Sequence, residues 1–259
     1  MKDYLVRGLV NSKNCRVFAC QTTNLLEKAR QEHDLWPTAS AALGRMMSAT
    51  LMMAAMNKNN EKMTVTINGG GPIGTMMAVT RGDGHIKGFV GDPHVHYTYN
   101  DTVPLQTGEI GDDFSYYFMA SEQTPSVVSV GVLVDETNEI LSSGGFIIQL
   151  LPEATEEDIS YIEEKIKDFP AVSSLIHEGK TPEEILKMIF DDVEITDRQD
   201  LFFTCDCSRE KMINALSTIG KQELQSMIDE DHGCEITCQF CNTKYQFSEE
   251  ELQNLINRL

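Results

Sequence analysis

Five of the seven cysteines fall between Cys205 and Cys241. One end of that stretch reads Thr204-Cys205-Asp206-Cys207-Ser208, and the other reads Cys234-Glu235-Ile236-Thr237-Cys238-Gln239-Phe240-Cys241. Thiolates spaced by two and by three residues, in two clusters far apart in the chain, are the pattern of a four-sulfur metal site assembled from separate segments. Zinc is the first candidate, because its filled d shell imposes no geometry and it accepts a tetrahedral set of sulfurs at about 2.3 Å each. If residues 202–207 are extended, Cys205 and Cys207 point to one face of the strand, since side chains alternate. A tight turn over residues 238–241 would then bring Cys238 and Cys241 to the ion from the other side. Four thiolates leave no open coordination position. The pattern therefore argues for a structural or switching metal and against hydrolysis by a metal-bound water.

Other motifs are weaker. Gly69, Gly71 and Gly74 spell GxGxxG after a strand-like run at residues 63–67, but a dinucleotide site needs a helix to open at those glycines so that its amides meet the pyrophosphate. Pro72 intervenes, and residues 75–79 and 85–90, joined by Arg81-Gly82-Asp83-Gly84, read as a β-hairpin instead. His94 and His96 share a strand face with no third ligand nearby in the sequence, which fits an edge strand better than a metal site. Cys15 and Cys20 lie five residues apart, on opposite faces of a strand, and are read as core. No Ser/His/Asp or Cys/His constellation stands out, and no Gly-Lys-Ser/Thr of a phosphate-binding loop is present.

The elements that must hold the cysteines follow from periodicity. Residues 4–23 alternate as two strands around a turn at residues 11–14. Asn24 caps a first helix to about Glu32, and Pro37 opens a second, to about Met56, in which Met46, Met47, Met52, Met53 and Met56 are read as core. Residues 108–123 suggest a helix with an acidic first turn, and residues 126–134 and 140–151 two strands. Thr155 with Asp158 starts an amphipathic helix, and Thr181-Pro182-Glu183-Glu184 starts another, carrying Ile185, Met188, Ile189 and Phe190. Ser208 opens one more, to about Ile219.

A 41% hydrophobic composition fills a core at this length, 259 residues. The longest apolar run, around residues 46–56, is interrupted by Ser48 and Thr50 and is too short to span a membrane, and no signal peptide is recognisable, so a cytoplasmic protein without membrane contact is expected. In that compartment thiols stay reduced, so clustered cysteines point to metal or redox chemistry. Residues 1–150 carry 11 Lys and Arg against 15 Asp and Glu, and residues 151–259 carry 10 against 25, for a total net charge of -19. Such a balance repels phosphate backbones, which argues against a nucleic-acid partner.

Three runs together make the chain resemble the bacterial redox-regulated chaperone family called heat shock protein 33. They are Phe203-Thr204-Cys205-x-Cys207-Ser208-Arg209-Glu210-Lys211, then Ile236-Thr237-Cys238-x-Phe240-Cys241 followed by Tyr245 and Phe247, and Gly69-Gly70-Gly71-Pro72-Ile73-Gly74. The resemblance covers essentially the full length. It implies an α+β protein: an N-terminal mixed α/β domain of sheets and packed helices (residues 1–178), a helical linker (179–200) and a small C-terminal four-cysteine zinc domain (201–259). It implies a non-enzymatic, ATP-independent holdase that binds unfolding client proteins under oxidative stress. Cys205, Cys207, Cys238 and Cys241 would hold one Zn2+ in the reduced, inactive form. Oxidation would pair Cys205 with Cys207 and Cys238 with Cys241, release the zinc and leave an active homodimer. Cys234 matches none of the family's ligand positions.

The sequence offers a physical account of such a switch. A C-terminal segment of about 55 residues has a marginal hydrophobic core, whereas a structural zinc contributes an apparent 10–16 kcal/mol, roughly, so losing the metal should unfold it. In an extended Cys205-x-Cys207 the Cα atoms stand roughly 6.6 Å apart, so a disulfide there would deform the site and be easily reduced. Loss of the zinc domain is expected to take a packing partner from residues 181–192, freeing Ile185, Met188, Ile189 and Phe190 as a client-binding surface. Two rival readings are a thiol-disulfide oxidoreductase using Cys238 and Cys241, and a constitutive zinc-stabilised interaction module.

Overall fold

The alternation in residues 4–23 builds the first hairpin. In the computed structural model, which describes residues 2–57, 61–95 and 110–259, β1 (Tyr4–Val10) and β2 (Cys15–Gln21) pair antiparallel around Asn14, whose φ of 45° turns the chain. They form the middle of a five-stranded antiparallel sheet in the order β6-β7-β2-β1-β8, with β6 at Ser126–Val134, β7 at Ile140–Leu150 and β8 at Glu194–Asp200. Period-2 alternation splits its side chains cleanly between two cores. Leu5, Phe18, Cys20 and Ile147 face α1 (Thr23–His33) and α2 (Pro37–Ala54), while Val6, Cys15, Val17, Phe146 and Ile148 face the opposite way.

On that opposite side lie α4 (Glu156–Lys167), α5 (Val172–His177) and α6 (Pro182–Ile189), whose apolar faces supply Ile162, Leu175, Ile176, Ile185 and Leu186. Thr155 and Thr181 begin α4 and α6 with reciprocal capping boxes to Asp158 and Glu184, as their spacing predicts. The helix α2 is apolar nearly all round, as a helix buried on every side must be. Met46, Met47 and Met52 are fully buried in it, Met53 is nearly so, and Met56 packs half-buried just past its end.

A second sheet covers the far side of α2 in the order β3-β4-β5-β9, with β3 at Met63–Asn68, β4 at Thr75–Thr80, β5 at His85–Val90 and β9 at Phe202–Phe203. The glycine run is therefore a strand-to-strand turn, with Gly70 and Gly74 at φ 68° and 70° and the Gly74 amide donating to the Gly71 carbonyl. No helix opens there, and the dinucleotide reading falls away. The helix α3 (Ile110–Ala120) places Ile110, Phe114 and Phe118 in the same core. Residues 108 and 109 of the expected helix, and His96 of the histidine pair, lie outside the described residues. The described residues contain no helix long and apolar enough to cross a membrane.

The chain divides into two compact units, Met1–Thr204 and Cys205–Leu259. Two expectations need correction. The stretch 179–200 is helical only through α6 and then becomes β8, which pairs antiparallel with β1. Ile195 is the one apolar residue of that strand, so nothing but the register on β1 marks it, and its charged side chains suit a sheet edge. The apolar face of α6 also has its packing partner inside the first unit. Ile185, Ile189 and Phe190 are each 1% exposed in the core beneath the five-stranded sheet, and Met188 alone is exposed, at 43%.

The second unit holds α7 (Arg209–Leu216), α8 (Lys221–Asp231), the hairpin β10 (Gly233–Thr237) and β11 (Lys244–Ser248), and α9 (Glu249–Arg258). Its buried core is small: Leu216, Leu224, Phe247, Leu252 and Leu255.

Candidate metal centre

Two short devices aim the four cysteines. The strand expected over residues 202–207 ends at Phe203, and Cys205 and Cys207 sit in non-repetitive backbone. The reason is the helix that follows at once: Ser208 is its N-cap, accepting from the Lys211 amide. Lys211 also reaches back, its Nζ donating to both the carbonyl and the carboxylate of Asp206 at 2.6 Å, which fixes the residue between the two cysteines. Cys238 and Cys241 occupy the tip of the β10–β11 hairpin. There the Cys238 amide donates to the Thr243 carbonyl (2.9 Å) and the Asn242 amide to the Cys238 carbonyl (2.8 Å), with Asn242 in the left-handed region at φ 53°.

These devices converge. All four Sγ atoms lie within 4.8 Å of one another. Across the two segments, Cys205 lies 3.7 Å from Cys238 and Cys207 3.4 Å from Cys241. A tetrahedron with metal–sulfur bonds of about 2.3 Å has edges of roughly 3.8 Å. The separations match that edge, and the donor set is purely sulfur, so the residues fit a four-coordinate zinc. All seven cysteines are free thiols.

Hydrogen bonds feed the cluster from its own loops. Backbone amides two residues on reach Cys205 (from Cys207), Cys238 (from Phe240) and Cys241 (from Thr243). Tyr245 donates its hydroxyl to Cys207 Sγ at 3.1 Å, and the Thr243 hydroxyl lies 3.2 Å from Cys241 Sγ. Burial pushes the Cys205 and Cys238 thiols up. Burial acts the same way on Cys241, yet the Thr243 hydroxyl and amide and the neighbouring thiols outweigh it and bring that thiol down to about 7. The bond to Cys207 raises the Tyr245 phenol to about 12. Four thiolates this close repel one another, and a divalent cation is the natural means of holding them ionised together.

Cys234 stays outside this set. It packs half-buried against the small core, opposite Phe247 in the hairpin, and burial raises its thiol. Cys15 and Cys20 are buried in separate cores, as expected of them, with thiols pushed up to about 12 by burial. His94 is engaged by Asp34, 3.1 Å from its Nε2, and lies beside the Trp36 ring. The oxidoreductase reading needs a helix opening at Cys238-x-x-Cys241 to lower the attacking thiol. The motif instead caps a hairpin, with β11 following it. Tyr245 and Thr243 carry no signature of a metal site in the sequence beyond their positions four and two residues past Cys241.

The profile of the Hsp33 protein family matches residues 3–98 and 96–248. The 33 kDa chaperonin of Oceanobacillus iheyensis is 42% identical over 98% of this chain and 99% of its own length. The 33 kDa chaperonin of Staphylococcus epidermidis is 43% identical over 99% of each. Among solved structures, the crystal structure of the 33 kDa chaperonin (heat shock protein 33 homolog) of Thermotoga maritima superposes with a TM-score of 0.90 at 30% identity, covering 100% of this chain and 99% of that one.

Proposed function

The chain belongs to the Hsp33 family of chaperones, and from that premise we propose that it is an ATP-independent holdase held inactive by zinc and switched on by oxidation. The observation that carries this reading is the convergence of four sulfurs from two segments in a unit whose own core is five side chains. Cys205, Cys207, Cys238 and Cys241 would hold the ion, which when bound supplies the charge that keeps four thiolates together and the cross-link that keeps the small unit folded. Peroxide then draws electrons from the site in pairs. One thiolate attacks a peroxide oxygen and breaks the O–O bond, giving a sulfenic acid and a hydroxide; a neighbouring thiolate then displaces a second hydroxide from that sulfur to form the disulfide, and each hydroxide takes a proton from solvent to become water. Two such events, pairing Cys205 with Cys207 and Cys238 with Cys241, consume two peroxides and leave no thiolate for the metal.

The client surface needs a step beyond zinc loss. Ile185, Ile189 and Phe190 become available only when α6 leaves the five-stranded sheet, and α6 has eight residues, too few to persist alone. We therefore assign residues 181–192 as the segment that detaches, with Met188 as its already exposed member. Unfolded proteins in the cytoplasm are the proposed partners, and a homodimer the proposed active form. Pairing zinc release with aggregation suppression tests this. The reduced protein is treated with peroxide at mild heat, zinc is followed with a chromogenic chelator, and a thermally unfolding client is added without ATP. Zinc release with new client protection is expected. Retained zinc, or release without protection, favours the static zinc module.

A further inference from the structure

Three of the four sulfurs are served by their own loops, each accepting an amide from two residues further along. From Cys207 that offset falls on Arg209, the first residue of α7. The hydroxyl on Cys207 comes from another segment: Tyr245 of β11, 3.1 Å away. Its ring is fixed by the unit's own packing, half-buried against the Leu216, Leu224 and Phe247 core and opposite Ile236 in the hairpin. Nothing in the packing requires the hydroxyl.

We propose that Tyr245 is a positioning residue that sets the rate at which Cys207 reacts with oxidant. The inference rests on the zinc-switch reading above. A hydrogen bond donated to a thiolate draws charge off the sulfur, and the sulfur's attack on peroxide uses that same electron pair. The phenol therefore slows sulfenic acid formation at Cys207, and it ties the Cys207 loop to β11. Cys241 is the internal control, because its hydroxyl donor, Thr243, is untouched by a change at Tyr245.

The test uses the full-length, zinc-loaded protein and its Tyr245→Phe variant, which keeps the ring. Zinc content is measured first, then both are exposed to limiting peroxide while dimedone traps sulfenic acids for peptide mapping. The variant should show roughly tenfold more trapped sulfenate at Cys207 relative to Cys241, and faster zinc release, the scale on which outer-shell donors act on metal sites. An unchanged ratio overturns the proposal, as does an equal rise at all four cysteines, the signature of a loosened fold. Wild-type protein without zinc, or with zinc that peroxide does not release, overturns the switch reading and this inference with it. Should the variant purify without zinc, wild-type chain carrying 3-fluorotyrosine at its seven tyrosines provides the opposite perturbation. The stronger phenol donor should slow Cys207 and leave Cys241 alone, and no slowing sinks the proposal.

Discussion

Cys15 and Cys20 lie at 0% and 1% exposure on opposite faces of β2, each walled in by one of the first unit's two large cores. Cys205, Cys207 and Cys241 are half-exposed, Cys238 is buried, and the four meet in a unit with five core side chains. The difference shows what decides a cysteine's role. A thiol that replaces a hydrophobe inside a full core is held neutral by desolvation and contributes packing. A thiol set among other thiols, in a unit with little apolar burial, is available to a metal, and on the zinc-switch reading proposed above the fold then depends on that metal.

The sharpest way to break this comparison is to remove the proposed metal. Stripping zinc from the reduced protein with a strong chelator should unfold residues 205–259 and leave the first unit standing. The lost stabilisation, about 10–16 kcal/mol for structural zinc, exceeds what a core of this size supplies. Hydrogen exchange resolved by segment reads it directly: amides of α8, β10 and β11 should lose protection while those of β2 and β7 keep theirs. Protection surviving in β10 and β11 would mean that the second unit folds on its own core.

Core substitutions sharpen the same point at smaller scale. Phe146 is fully buried edge-to-face with Phe169, 5.6 Å between ring centres, so Phe146→Ala should destabilise the first unit by about 3–5 kcal/mol and leave zinc affinity unchanged. Leu224, equally buried in the second unit, should behave differently. Leu224→Ala costs about 2–5 kcal/mol, and where folding and metal binding are one event that cost emerges as a zinc affinity weaker by roughly thirtyfold to several thousandfold. Competition against a chelator of known affinity measures both variants.

Alkylation against pH separates the two kinds of thiol. Cys15 and Cys20 ionise near 9 when unfolded and are pushed up to about 12 in the fold. Below pH 9 they carry their protons in both states and the fold is unaffected. Above it the unfolded chain loses protons first, so the first unit's stability should fall steadily as pH rises from about 9 toward 12. The native protein should resist iodoacetamide at both positions at pH 8, and rapid labelling there would mean that the cores open far more readily than their burial implies.

Much of this was legible in the sequence because the relevant signals are local. Cys205-x-Cys207 and Cys238-x-x-Cys241 declare themselves by spacing, and Thr155-x-x-Asp158 and Thr181-x-x-Glu184 by capping chemistry. Ser248-x-x-Glu251 carries the same capping signal for α9 and could have been read the same way. The larger failures are non-local, while the strand expected over residues 202–207 is cut short by a local signal, the Ser208 cap. Amphipathicity says that Ile185, Ile189 and Phe190 are covered, but not that the five-stranded sheet covers them. Glu194–Asp200 becomes β8 because β1 offers an edge, with almost no apolar pattern of its own. Tyr245 reaches Cys207 across 38 residues of chain, a contact that only the hairpin's register creates.

Cys234 gives the smallest expected effect and the finest division between the two kinds of cysteine, because it belongs to the second unit by position and to the first by behaviour. It lies four residues before Cys238 and is paired with Phe247 across the hairpin, and its sulfur is not among the four that converge. Removing that sulfur's chemistry while keeping its size should therefore change little. Cys234→Ser should bind one zinc per chain and release it to peroxide at the wild-type rate, with a stability loss of about 1 kcal/mol for setting a hydroxyl in a half-apolar site. Metal analysis and the chelator assay decide it. Loss of zinc would place Cys234 in the ligand set, and slower or scrambled activation would show it exchanging disulfides with Cys238; either result would erase the boundary between packing thiols and those of the proposed metal site.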